Sequence, residues 1–186
     1  MHVETDIAIV GGGPVGAALA LALRPTDLRV TLLEARAEHD ERARDPRPMA
    51  LSHGSRLLLD RLNAWPALLQ QSAATPIAHI HVSQRGEFGR VAISAKDADV
   101  PALGYVIDYG AVFSALTMAV RDAACDYREG ARVIALQREG DASRIDYLHD
   151  GQPATLRARL TVVADGGEIE GLAPPYIVDY EQCAIT

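Results

Sequence analysis

Asp6-Ile-Ala-Ile-Val-Gly-Gly-Gly-Pro-Val-Gly-Ala-Ala-Leu-Ala-Leu-Ala-Leu23 decides the fold of this 186-residue chain. Residues 7–10 form a short apolar run that ends in glycine, the pattern of a parallel strand buried on both faces. Gly11, Gly13 and Gly16 then fall at the spacing G-x-G-x-x-G. The first allows a tight turn, the second lets backbone approach phosphates, and the third lets a helix pack on the strand. Pro14 stands where the helix begins, a position at which its missing N–H costs nothing. The N–H groups and dipole of that helix end favour an anion. The helix is expected to reach about residue 24, where Pro25-Thr26-Asp27 breaks it. A second strand over 28–33 ends at Glu34, which lies 18 residues beyond Gly16. An acid at about 20 residues accepts hydrogen bonds from an adenosine ribose and repels a 2′-phosphate. The unit therefore suits FAD or NAD better than NADP.

Bulk properties narrow the class. Hydrophobic residues make up 48% and charged residues 23%, a globular composition with material for one good core or one domain and part of a second. The net charge of −7, with no basic stripe, argues against nucleic acid as a partner. The densest basic region, 36–47, is interleaved with acids and reads as a mixed-charge loop. No apolar run reaches the ~18 residues of a membrane span, and no signal peptide precedes the first strand. Cys125 and Cys183 are far apart and lack metal or redox spacing, so a reduced, cytoplasmic setting is expected.

Beyond the polar loop at 35–48, a helix is expected from near Ser52 and a shorter one from Trp65-Pro66 to about residue 70. Residues 77–83 and 90–94 read as a hairpin turning near Gly86, followed by an extended piece at 105–108. Val112, Phe113, Leu116 and Val120 recur at helical spacing within 109–124. Strands are expected over 132–136, 145–149 and 156–164, with turns at Glu139-Gly140-Asp141 and Asp150-Gly151. The run Leu160-Thr-Val-Val-Ala-Asp-Gly-Gly167 repeats the design of the first strand, which makes Asp165 and Gly166 candidates to face the same nucleotide. Asp-Gly also suits a plain turn. His79 and His81 share a strand face without a third or fourth ligand, so no metal site is expected. No Gly-x-Ser-x-Gly motif occurs, and Ser52-His53 adjacency makes no triad.

These segments together resemble the flavin-dependent aromatic-ring monooxygenases of the para-hydroxybenzoate hydroxylase type, and most of all the ubiquinone-biosynthesis branch acting on polyprenylated phenols. The resemblance rests on Gly11 to Gly16 with Glu34, and on Asp45-Pro-Arg-Pro-Met-Ala-Leu51. It also rests on His81-Val-Ser-Gln-Arg-Gly86, Ala102-Leu-Gly-Tyr-Val-Ile-Asp108, Ala164-Asp-Gly166 and Tyr180-Glu-Gln182. It implies an α/β, Rossmann-like FAD-binding domain with a parallel sheet and a β-meander, interrupted by part of an antiparallel substrate domain. The expected division is 1–75 and 109–170 for the first, 76–108 and 171–186 for the second.

The resemblance also implies cofactor-binding residues: Gly11, Gly13 and Gly16 at the pyrophosphate, Glu34 at the ribose and Val133 at the adenine, with Pro14, Val15 and Ala35 beside them. Arg47 matches the arginine that reaches the flavin side, and Asp165 with Gly166 the Asp-Gly motif near the pyrophosphate. FAD is the implied cofactor, NAD(P)H the co-substrate, and an aromatic polyprenylphenol and oxygen the reactants. No catalytic side chain is assigned, because the cofactor carries the chemistry. A lipid-borne substrate leaves room for peripheral contact at the inner membrane face, and for an oligomer or biosynthetic complex. Two departures stand out. Asp108 occupies a position where many relatives carry arginine, and the later Gly-Asp motif that holds the flavin ring has no match here. The chain is therefore expected to be the N-terminal part of such an enzyme and inactive alone. Another FAD- or NAD-dependent oxidoreductase, or a non-catalytic nucleotide-binding module, shares the opening motif.

Overall fold

Residues 4–36, 45–84, 86, 88–123 and 125–167 are described by the computed structural model of the chain. The segment 180–182, Cys183, the 171–186 portion of the expected substrate domain and residues 37–44 of the polar loop lie outside them. Strand β1 (Thr5–Val10), helix α1 (Pro14–Leu23) and strand β2 (Val30–Leu33) form the expected βαβ unit. Next come β3 (Pro48–Ser52), α2 (His53–Arg61), α3 (Ala64–Gln71), β4 (Thr75–Ile77), β5 (His79–Ser83), β6 (Arg90–Ser94) and β7 (Gly104–Asp108). Helix α4 (Tyr109–Asp122), β8 (Asp126–Arg128) and the meander β9 (Ala131–Glu139), β10 (Ala142–His149) and β11 (Gln152–Val163) complete the described chain.

The main sheet has the order β8-β2-β1-β11-β10-β9. Its first four strands are parallel and its last three antiparallel, because β11 serves both halves. The first part of β11 pairs antiparallel with β10 from Gln152 to Ala158, and its second part runs parallel to β1, with Ile7 beside Leu160 and Val10 beside Val163. The resemblance between the 160–167 run and the opening strand is thus a structural one: both are interior parallel strands that end in a glycine turn. Positive φ at Gly140, and at Asp150 and Gly151, marks the two meander turns that the sequence placed there.

Two apolar layers hold this sheet. Ile9 and Leu32 point to the face covered by Ala17, Ala20 and Leu21 of α1 and by Val112, Leu116 and Val120 of α4. Ala8 and Leu33 point the other way, against Ala131, Ile145, Tyr147, Leu156 and Ala158. Ile9, Leu32 and Leu33 are fully buried, each contributing about 1.5–3 kcal/mol of transfer free energy. Small residues on the buried side of α1 let its backbone lie close to β1 and bring the start of the helix to the end of the strand.

Three elements differ from the sequence reading. Residues 48–52, expected to lead directly into a helix, form β3, which pairs with β7 in a second sheet of order β3-β7-β4. The single strand expected over 77–83 is two, with β4 on β7 and β5 on β6. Pro76 suits β4 because that strand is an edge, where a missing N–H goes unnoticed. The Asp126-Tyr-Arg128 triplet forms β8, a short parallel strand beside β2, held also by Thr31 Oγ1 donating to Asp126 Oδ2 at 3.1 Å.

Candidate functional site

The carboxyl ends of β1, β2 and β11 open onto a pocket of about 540 Å³. Ligands of parallel sheets bind at this edge. Its walls include Gly11, Gly13, Pro14 and Val15 from the first turn, Glu34, Ala35 and Arg36 after β2, and Ala164, Asp165 and Gly166 after β11. Ala131, Arg132 and Val133 close one side, because the start of β9 is tied to the end of β2: the Ala131 N–H donates to the Glu34 carbonyl at 2.8 Å, and Gly130 N–H to that of Arg36 at 2.9 Å. Tyr109, the first residue of α4, completes the wall.

The three glycines of the motif have three separate surroundings. Gly11 has φ +102, and a Cβ there would press within 2.7 Å of the backbone of Ala164 and Asp165. A Cβ on Gly16 would overlap the carbonyl oxygen of Gly11. Gly13 is different: a Cβ would meet nothing within 4 Å. Gly11 and Gly16 are therefore required by the protein, whereas the space at Gly13 is left for something else. Gly13 is also the N-cap of α1, caps it with no side-chain bond, and is followed by Pro14. The first-turn N–H groups lack intrahelical acceptors by geometry and suit a phosphate.

Glu34 is 5% exposed. Its Oε2 accepts from the Gly12 N–H at 2.7 Å and its Oε1 from the Arg36 N–H at 3.0 Å. The carboxylate is thus fixed in place at the pocket wall. Gly12, a variable position of the motif, was missed from sequence. A Cβ there would fall 2.9 Å from the Glu34 side chain, so the third glycine in a row was the available signal. Arg36, Tyr109 and Arg132 were missed as well, since their place in the wall depends on how distant strands meet.

Of the residues expected to bind cofactor, Gly11, Gly13, Pro14, Val15, Glu34, Ala35, Val133, Asp165 and Gly166 share this wall, and Gly16 supports it from behind. Asp165 Oδ1 accepts from the Gly167 N–H at 2.9 Å, which shapes the turn after β11. Arg47 is not in the wall. Its guanidinium donates from Nε and Nη2 to the Asp45 carboxylate at 2.6–3.0 Å and lies 5.5 Å from the centre of the Tyr109 ring. This pairing with Arg47 holds the Asp45 carboxyl below its ordinary range. Among the described residues no group of three or more His, Cys, Asp or Glu side chains is placed to hold a metal ion.

A family described as "FAD binding domain" matches residues 4–169. The chain is 34% identical to 3-demethoxyubiquinol 3-hydroxylase of Escherichia coli K12 over 167 residues, which cover 87% of this chain and 41% of that protein. It is also 34% identical to the ubiquinone hydroxylase UbiL of Rhodospirillum rubrum, over 87% of this chain and 37% of that protein. Among solved structures, the flavin-dependent monooxygenase PieE, in complex with FAD and substrate, superposes with a TM-score of 0.68 at 20% identity, covering 90% of this chain and 31% of that one. The p-nitrophenol 4-monooxygenase PnpA of Pseudomonas putida DLL-E4 gives 0.66 at 20% identity, over 90% of this chain and 42% of that one. The structural matches establish the fold. The chain spans about two fifths of the length of these curated relatives.

Proposed function

The chain belongs to the FAD-binding-domain family, and from that premise we propose that it forms the AMP-gripping part of an FAD-dependent monooxygenase that hydroxylates an aromatic ring. The observation that carries this reading is the pairing of Glu34 with Gly12 beside the open space at Gly13. One carboxylate faces the ribose while the turn it braces offers backbone N–H groups to the phosphates. Val133 and Ala131 supply the wall for adenine. Asp165 and Gly166 border the pyrophosphate, and Arg47 serves the flavin side as a forked donor to phosphate or ribityl oxygens.

When bound, the flavin supplies hydride acceptance from NAD(P)H and the activation of oxygen for ring hydroxylation. This chain's residues bind and orient it. A phenol of ubiquinone biosynthesis is the proposed substrate class, supported by the names of two relatives at 34% identity. A polyprenyl tail on that phenol implies peripheral contact with the inner membrane face. Among the described residues no helix is long and apolar enough to cross a membrane. The proposed division keeps 1–75 and 109–170 as the cofactor part and 76–108 with 171–186 as substrate part, supported by the stand-off of the β5–β6 hairpin from both apolar layers. Sheet β3-β7-β4 joins the two.

The test is a titration with FAD followed by flavin absorbance, and then addition of NADH or NADPH with a polyprenylphenol in the full-length enzyme. A yellow protein bleached by the nicotinamide, with oxygen uptake coupled to the phenol, is the expected result. Protein that binds NAD and leaves FAD in solution overturns the reading.

A further inference from the structure

Helix α4 starts where the second sheet ends, and its first two N–H groups are not capped by the side chain before them. Asp108 instead accepts from Ser72 Oγ at 2.9 Å. The Tyr109 N–H donates to the carbonyl of Arg47, and the Gly110 N–H to that of Asp45, each at 2.9 Å. The 45–47 loop is thereby stitched to the helix start by backbone. Its side chains then fold back over the same residue. The Arg47 guanidinium lies over the Tyr109 ring, and that ring stacks on Phe113 with centres 6.4 Å apart and planes 13° from parallel. Phe113 is 6% exposed and does not move easily. Tyr109 is therefore a braced platform that touches Arg47 and also lines the dinucleotide pocket.

We propose that Tyr109 is a positioning residue for the cofactor: its ring holds the Arg47 guanidinium at the pocket rim, so that the pair grips the half of FAD beyond AMP. The inference rests on the FAD reading above. The Arg47 side chain is 77% exposed, and a long exposed arginine without a platform loses rotamer freedom whenever it meets a ligand. A ring beneath it removes part of that loss in advance. Asp45 takes the Nε and Nη2 side of the guanidinium fork, and the fork's remaining donors serve ligand oxygens. Glu34 and the glycine turn hold the other half of the ligand independently, so the two halves separate by experiment.

The full chain and its variants are titrated with FAD and with AMP, followed by flavin fluorescence and calorimetry. Tyr109→Ala is expected to weaken FAD about five- to tenfold and AMP by clearly less, while an unchanged far-ultraviolet circular dichroism spectrum shows that the variant is folded. Tyr109→Phe keeps the ring and restores FAD affinity. The double variant Arg47→Ala/Tyr109→Ala is expected to bind FAD no worse than Arg47→Ala, since the ring acts through the arginine. Wild-type FAD affinity in Tyr109→Ala overturns the proposal alone, as does equal loss of AMP and FAD or additivity in the double variant. Wild-type protein that binds AMP and refuses FAD overturns the cofactor reading and this proposal with it.

Discussion

The Glu34 side of the pocket and the Arg47–Tyr109 corner beside it are built in different ways. At the Glu34 end, position is set by backbone: strands in register, a glycine turn with no room for side chains, and a buried carboxylate answering two N–H groups. At the Arg47 end, position depends on side chains in series, an exposed arginine held by a half-buried acid over a ring. A backbone site tolerates few substitutions and has few alternative states. A side-chain site is adjustable, and each of its links is worth less.

The strongest way to break this contrast lies in the turn. Gly16→Val places two methyl groups against the Gly11 carbonyl, with no flexible neighbour to give way. Overpacking of this kind costs about 1–3 kcal/mol, which lowers Tm by several degrees, and AMP binding is expected to fall by at least about 100-fold as the turn shifts. Wild-type AMP affinity in a calorimetric titration of this variant would show that the turn is not backbone-determined.

Glu34→Ala comes next. It removes the acceptor of the buried Gly12 N–H and of the Arg36 N–H, a loss of about 1–3 kcal/mol in stability. AMP affinity should drop about tenfold, because ribose hydroxyls lose a charged acceptor. Adenine alone should bind as before, and a matching loss for adenine would place Glu34 in a purely structural role.

Gly13→Ala separates the protein's needs from the ligand's. Its φ of −65 is open to alanine and its Cβ meets nothing. The N-cap change costs about 1 kcal/mol or less, while AMP should weaken about tenfold through a methyl group standing where a phosphate approaches. Thermal melts and titrations on the same sample decide this, and a large Tm loss without a change in affinity would reverse the assignment.

The same division explains what was legible in the sequence. The β1 turn, α1, β2 and Glu34 were readable because strand, turn, helix and acid are consecutive and each obeys a local rule. The return of the chain to β11 was readable because an apolar run ending in Asp-Gly repeats the first strand's pattern. Strand β3 was not, since Pro48-Met-Ala-Leu-Ser52 has weak strand propensity and is extended only because β7 lies beside it. The split between β4 and β5 was hidden for the same reason: Ile77 and His79 look alike in pattern and pair with different strands. Gly12 sat at a position the motif leaves free. Tyr109 and Arg132 reach the pocket only through long-range pairing. Arg47 was singled out by resemblance, yet what holds it depends on a helix start far along the chain.

The smallest expected effect concerns the link that holds Arg47. The folded-state pKa of Asp45 lies below the model-compound value of 3.8, chiefly through its hydrogen bonds from Arg47. A depressed carboxylate contributes stability above its unfolded pKa and loses it as pH falls through the folded one. FAD affinity should therefore show no Asp45-dependent change from pH 8 to 5, with the contribution fading only below about pH 4. Salt should weaken the pair across the whole range, because the arginine faces solvent. Asp45→Asn should differ slightly from wild type above pH 5 and converge with it in acid, read as Tm against pH at two ionic strengths. A gap between them that persists below pH 3, or that ignores salt, would mean that Asp45 acts through its turn geometry and not through its charge. In that case the Arg47 end would be set by its turn as the Glu34 end is, and the difference between the two would disappear.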